Sequence, residues 1–395
     1  MGVNVVKLED VCEFYRGLTY SKKDEATFSD NIVLRASNID LDTSTLILDD
    51  LKYLKEDFVI PNDKKLQKDC IFICMSSGSK SHLGKVAYID RDYNYAFGGF
   101  MGLIKPKTNI LPRYLFYLLQ TPEYKELIKK LSNGININNI KFSDLKEFQF
   151  ELPSLEEQEK ILNILDKADE IRAKKKLAND KLDEFLKSTF ISKFGDPVMN
   201  NKQFPTANIS EIGVVVTGNT PSRKVEEYYG DYIEWIKSDN INTPYTYLTQ
   251  ATEYLSEEGS NVGRIVPSNS VLVTCIAGSF DCVGNIALTN RSVAFNQQIN
   301  AIIPNNDLVN SKFLYTQLHV GKKLIQDKST KSMKGMVSKG KFETIEVIVP
   351  DLSEQQHFVK IFNNIEEQKQ RNEKVIEQMD NLFNSLSQKA FKGDL

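Results

Sequence analysis

Leu66–Ala87, LQKDCIFICMSSGSKSHLGKVA, and Val266–Ala287, VPSNSVLVTCIAGSFDCVGNIA, lie over one another without a gap at an offset of 200 residues. Apolar positions meet apolar positions, and Gly78/Gly278, Ser79/Ser279 and Gly84/Gly284 are retained. A repeat of this kind decides the architecture before local propensity is read. Working outward, Leu34-Arg35-Ala36-Ser37-Asn38-Ile39 sits over Ile236-Lys237-Ser238-Asp239-Asn240-Ile241 at offset 202, and Ala96-Phe97 over Ala294-Phe295 at 198. Leu152-Pro153-Ser154-Leu155-Glu156-Glu157-Gln158 matches Val349-Pro350-Asp351-Leu352-Ser353-Glu354-Gln355 at 197, and the small drifts are changes of loop length. The order is globular unit, helix, second globular unit, second helix.

Within each unit, short β-branched and aromatic runs (Ile71–Ile73, Lys85–Ile89, Val271–Val273) read as strands between Gly, Asn and Pro. Pro112–Gln120, Pro122–Leu131 and Ser311–Ile325 are patterned as amphipathic helices. The expected fold class is α/β (α+β), with two mixed units joined by long helices. Those helices start at Ser154-x-x-Glu157 and Asp351-x-x-Glu354, capping signatures directly behind Pro153 and Pro350. A 3-4 spacing then predicts a coiled-coil seam through Ile164, Ala168, Ile171, Lys175, Ala178, Leu182 and Phe185. In the second helix the seam is expected at Ile361, Ile365, Gln368, Asn372, Val375, Met379, Leu382 and Leu386. The alternative is that each helix packs only on its own unit. About 38 residues at 1.5 Å rise give nearly 60 Å, longer than such a unit needs, which favours antiparallel pairing into a dumbbell. The expected boundaries are 1–152 and 196–349 for the units and 153–195 and 350–395 for the helices.

Of the 395 residues 41% are apolar and 26% charged, the profile of a chain that can bury cores. No apolar run approaches a membrane span, and Met1–Phe14 meets acids too soon for a signal peptide, so the expected compartment is the cytoplasm. Five scattered cysteines (Cys12, Cys70, Cys74, Cys275, Cys282) suit a reduced compartment, as packing residues. The three histidines form no HExxH, and neither zinc-spaced clusters, a phosphate loop nor GxGxxG is present. No catalytic residue, metal site or cofactor is therefore expected.

A net charge of −3 does not announce a nucleic-acid partner. Local charge is lopsided, with seven lysines against Asp327 in 322–341 and five against Glu126 and Asp144 in 125–146. Such loops are commonly solvated faces, but their recurrence in both copies sets phosphate contact level with that reading. The candidate DNA contacts are Arg16, Lys22, Lys23, Arg35, Ser79, Lys80, Asn136 and Asn138 in the first unit. In the second they are Thr220, Ser222, Arg223, Lys224, Lys237, Ser279, Gln297, Gln298, Lys331, Lys334 and Lys339. Glycine admits close backbone approach, hydroxyls and cations suit phosphates, and the amides of Gln297 and Gln298 suit adenine edges. The first copy has Gly98-Gly99-Phe100 there, so that contact is not general.

The twice-occurring Pro-x-Leu-x-Glu-Gln box, with Gly218-Asn219-Thr220-Pro221-Ser222, Tyr232–Ile241 and the Gly278-Ser279 and Gly284 loop, resembles the specificity subunit of type I restriction-modification systems. The likeness covers essentially the whole chain. It implies two target-recognition domains, each reading half of a split site in double-stranded DNA, separated by helices that bind modification (methyltransferase) subunits. Two such subunits are expected, with restriction (helicase-nuclease) subunits joining through the complex and catalysis left to those partners. The partner-binding candidates are Glu157, Gln158, Arg172, Lys176, Glu354 and Gln355. Tyr20 stands where the second copy has Pro221, a departure in the first unit. Two other readings stay open, a duplicated DNA-modifying enzyme and a non-DNA coiled-coil scaffold.

Overall fold

The computed structural model of the protein describes residues 4–41, 43–78, 80–132, 139–330 and 335–390. By packing, the chain divides into a first unit of 1–175 with 374–395 and a second unit of 176–373. Each long helix therefore contributes one stretch to each unit.

The strand reading holds, and its physical basis is visible in Ile71–Cys74, which is buried on both faces. Ile71 and Ile73 enter one core, with Leu8, Tyr114 and Leu115. Phe72 and Cys74 enter another, with Leu34, Cys70 and Phe97. A strand buried on both sides reads as a continuous apolar run rather than an alternation. In the first unit it lies in an antiparallel sheet ordered Cys12–Arg16, Met101–Pro106, Ile71–Cys74, Val86–Tyr88. The second unit repeats that order with Gly213–Thr217, Ile299–Pro304, Val271–Thr274 and Ile286–Leu288. Val271 and Val273 again face one core and Leu272 the other. Deleting a ring such as Phe72 from such a layer costs about 3–5 kcal/mol.

A second sheet in each unit contains one parallel pair, Leu34 beside Phe97 and Ile236 beside Phe295. The short segments matched in sequence at offsets of 202 and 198 are thus partners in space. Gly84 and Gly284 take φ of +72° and +84°, the left-handed region that explains their retention. Pro112–Leu118 and Pro122–Ser132 are helical as expected, whereas the counterpart in the second unit breaks at Gly321 into Ser311–Val320 and Lys322–Gln326.

The long helices run Leu155–Phe194 and Leu352–Ala390. The first starts on the expected box: Ser154 N donates to Glu157 Oε2 (2.9 Å), and Glu157 N to Ser154 Oγ (3.3 Å). At the second, Glu354 N and Gln355 N bond the Asp351 carbonyl at 3.0 and 3.1 Å. The two helices pair antiparallel as a coiled coil: Arg172 meets Asp380 in the first unit, and in the second Asn179 meets Asn372 and Asp183 meets Lys369.

The expected seam holds at Ala168, Ile365 and Asn372, which are buried, and needs correction elsewhere. Ile164, Ile171 and Phe185 are exposed at 43%, 40% and 55%, and in the second helix Leu382 is 42% exposed and Gln368 is also exposed. The buried line of the first helix passes instead through Ile161, Leu165, Ala168, Leu186, Phe190 and Phe194. The two phases share Ala168 but then diverge, because four residues rather than three separate it from the next inward position, Arg172.

Candidate nucleic-acid interface

In the second unit the loop Gly218–Ser222 is held from several sides. Asn219 donates through Nδ2 to the Val262 carbonyl (2.8 Å) and accepts at Oδ1 from Arg264 N (2.8 Å). The buried Trp235 indole donates to the Asn219 carbonyl (3.2 Å), and Tyr229 Oη to that of Pro221 (2.7 Å). A Cβ on Gly218 would lie 2.1 Å from the Asn296 carbonyl oxygen, so only glycine permits this approach.

On that support the candidate side chains converge. Thr220 Oγ1 hydrogen-bonds Gln297 Oε1, and the Ser238 hydroxyl lies 3.4 Å from Gln298 Oε1. Arg223 stacks over Tyr229 and Trp235, 4.4 and 5.1 Å from their ring centres, while Lys237 lies 5.3 Å from the Trp235 ring. Both cations pair with Glu253, whose carboxyl Lys237 and then Arg223 hold below the usual range against the cost of burial. The Gln298 carbonyl accepts from Cys275 N and Ile276 N (2.8 and 3.0 Å), tying in the start of the loop that carries Ser279. Ser222, Lys224 and Ser279 are exposed. Lys339 is exposed on a short helix, 3.5 Å from Glu343.

The first unit reproduces this frame with other side chains. The Phe100 carbonyl accepts from Met75 N and Ser76 N (2.9 and 3.0 Å), the bonds that Gln298 makes in the second unit. Gly17 packs on Gly98 as Gly218 does on Asn296, with a Cβ position 2.0 Å from the Gly98 oxygen. Lys22 and Arg35 line a cavity of ≈ 630 Å³ that reaches Phe100. Arg16 lines a smaller one of ≈ 220 Å³ on the same residue. Arg35 bonds Asp50 (2.8 Å) just as Lys237 bonds Glu253, so the basic residue at this position has an acidic partner in both copies. Lys23 is exposed. Ser79, Asn136, Asn138, Lys331 and Lys334 lie outside the described residues, as does the Lys80 side chain.

Sequence reasoning missed the acids. Their signal was available, an acid 15 or 16 residues after the aligned base in each copy. Three of the partner candidates are engaged inside the units. Gln158 and Gln355 are 0% exposed. Gln158 accepts from Leu111 N (2.8 Å) and donates to the Asn109 and Pro153 carbonyls. Gln355 does the same with Asn310 N (2.9 Å), Leu308 and Pro350. Each is an internal clamp between helix start and unit, because its amide saturates buried backbone groups. Arg172 is half-buried and ion-paired to Asp169 and Asp380. Glu157, Lys176 and Glu354 are exposed.

All five cysteines are free, four of them buried. Burial pushes the Cys12 and Cys275 thiols up to about 12 and those of Cys70 and Cys74 to about 11, which keeps them protonated and inert. No described helix is long and apolar enough to cross a membrane.

The family model for the type I restriction modification DNA specificity domain matches residues 1–181 and again 201–379. The type I restriction enzyme HindI specificity subunit of Haemophilus influenzae is 26% identical over 353 aligned residues, covering 68% of this chain and 74% of that one. The putative MjaX specificity subunit of Methanocaldococcus jannaschii is 23% identical over 388, covering 92% and 86%. The crystal structure of the type I restriction-modification S subunit from M. genitalium has the same fold, with a TM-score of 0.52 at 17% identity over 98% of this chain and 96% of that one. With one domain model matched in both halves and relatives spanning most of its length, the chain belongs to the type I restriction-modification DNA specificity family, as a specificity subunit.

Proposed function

We propose that each unit reads one half of a bipartite site in double-stranded DNA through the surface built around its Gly17–Lys23 or Gly218–Lys224 loop. One observation carries this reading: the two units keep the same backbone frame while changing the side chains it presents, Gly99-Phe100 in one and Gln297-Gln298 in the other. Identical scaffolds with different donors and acceptors are what two different half-sites require. Arg16, Lys22, Lys23, Lys224 and Lys339 serve phosphates, which position the protein without specifying sequence.

As a specificity subunit the chain recognises DNA and leaves catalysis to its partners, working in the cytoplasm. Two modification subunits dock on the long helices, where Glu157, Lys176 and Glu354 are exposed, as are Ile164, Ile171 and Phe185. Restriction subunits join through that complex. The test is to replace residues 203–349 with the matching unit of a relative and sequence the methylome of cells carrying the partner subunits. One half of the methylated site changes and the other stays. Both halves changing together overturns independent reading.

A further inference from the structure

We infer that Phe100 is a specificity residue of the first unit, making apolar contact with the 5-methyl group of a thymine in its half-site. This deepens the proposed reading and rests on it.

Phe100 is 72% exposed although it follows buried Phe97 in a fixed turn. Its backbone is not free to turn the ring inward. Besides the two bonds to its carbonyl, Met101 N donates to the Gly98 carbonyl (2.8 Å) and Gly98 N to that of Leu34 (2.9 Å). A phenyl ring held in water forgoes a burial gain of about 1.5–3 kcal/mol, which an apolar group of a partner would supply. The surroundings say which kind. Phe100 borders both cavities named above, with Arg16 and Lys141 on one side and Lys22 and Arg35 on the other. The buried Nε of Arg35 has no hydrogen-bond partner among the described residues. An apolar ring set among four cations and one acid, Glu25, with Arg35 paired to Asp50, keeps a positive surplus around it that does not suit an apolar protein surface, whereas a duplex offers an apolar methyl group flanked by phosphates. The position agrees as well. Phe100 occupies the seat of Gln298, so the first unit presents a ring where the second presents an amide, and the major groove of an A·T pair offers a partner to each.

The test uses the full chain with its modification subunits and a duplex carrying the site that methylome sequencing defines. Each thymine is replaced in turn by deoxyuridine, which removes only the methyl group, and affinity is read by fluorescence anisotropy. For the wild type, one replacement weakens binding about four-fold, the worth of one buried methyl group. Phe100→Ala binds the unmodified site at least as weakly and is indifferent to that replacement, while Phe100→Leu keeps part of the discrimination. Circular dichroism of the variants reports that the fold is intact. If no thymine matters to the wild type, or the same one still matters to Phe100→Ala, the assignment is overturned. A wild-type complex that does not prefer the site over a scrambled duplex overturns the underlying reading, and this inference with it.

Discussion

Asn372 of the second long helix donates through Nδ2 to the side-chain Oδ1 of Asn179 in the first, at 2.8 Å. Asn372 is 8% exposed, and nearby Lys369, 5% exposed, bridges Asp183 and Glu366. A polar pair inside the seam costs stability and fixes register, because any slip would bury unpaired amides.

Replacing one partner therefore differs from replacing both. Asn372→Leu leaves Asn179 without its amide partner and is expected to lower stability by about 1–3 kcal/mol. Asn179→Leu with Asn372→Leu is expected to recover most of that loss, while loosening the specification of register. Denaturant titration of the two singles and the double measures the coupling. Additive losses would mean that the pair does not act as a pair.

His319 gives the second unit a pH dependence. Burial, and then Lys187, push its pKa down to about 4, with Lys322 and Lys369 acting in the same direction and Asp183 opposing. The unfolded histidine titrates near 6.5, so between these values the unfolded chain binds the proton and the folded one does not. Stability from this group is complete above pH 6.5 and is lost as pH falls toward 4, by about 3 kcal/mol. His319→Gln is expected to flatten that part of the profile. Urea midpoints of wild type and variant across this range check it, and parallel profiles would contradict the buried neutral histidine.

The cations at the reading surface make a different prediction. Glu253 neutralises Arg223 and Lys237 together, and Glu253→Gln frees both. Binding to unrelated duplex DNA is then expected to tighten, with its logarithmic salt slope steeper by about one to two counterions. Arg223→Ala moves the slope the other way. Filter binding from low to moderate salt measures both, and slopes that do not respond would place the pair away from the phosphates.

How far the sequence could be read depended on whether a residue's partner was near it or repeated. The strands around Ile71–Cys74 and Val271–Thr274 were legible because burial on both faces writes an uninterrupted apolar run, and duplication wrote it twice. The seam was misread because the apolar Ile164, Ile171 and Phe185 outshine a true phase that contains Arg172, Asn179 and Asp183. Those polar residues are tolerated inside only because Asp380, Asn372 and Lys369 face them from about 190 to 210 positions away, which no local pattern reports. Gln158 and Gln355 read as partner contacts for the same reason: an amide looks like a polar contact until the backbone groups that saturate it are known.

Arg172 and Lys176 separate the helix pair from the proposed docking face. Arg172 bonds Asp380 at 2.9 Å and Asp169 at 3.1 Å within the first unit, whereas Lys176 is exposed. Arg172→Glu sets like charges against Asp169 and Asp380, and it is expected to cost about 1 kcal/mol for so partly exposed a group. Combining it with Asp380→Arg restores the cross-helix attraction and is expected to recover about half of that loss, since the carboxylate introduced at position 172 still lies one turn from Asp169. Lys176→Glu should leave stability within about 0.5 kcal/mol of wild type. If the modification subunits use the outward face, Lys176→Glu weakens their association without a change in melting temperature. Arg172→Glu weakens association only in step with stability, and the swap brings both back together. Pull-down with the modification subunit beside thermal melts of each variant distinguishes the two. Association lost in the Arg172→Glu, Asp380→Arg swap despite restored stability would show that Arg172 itself touches the partner.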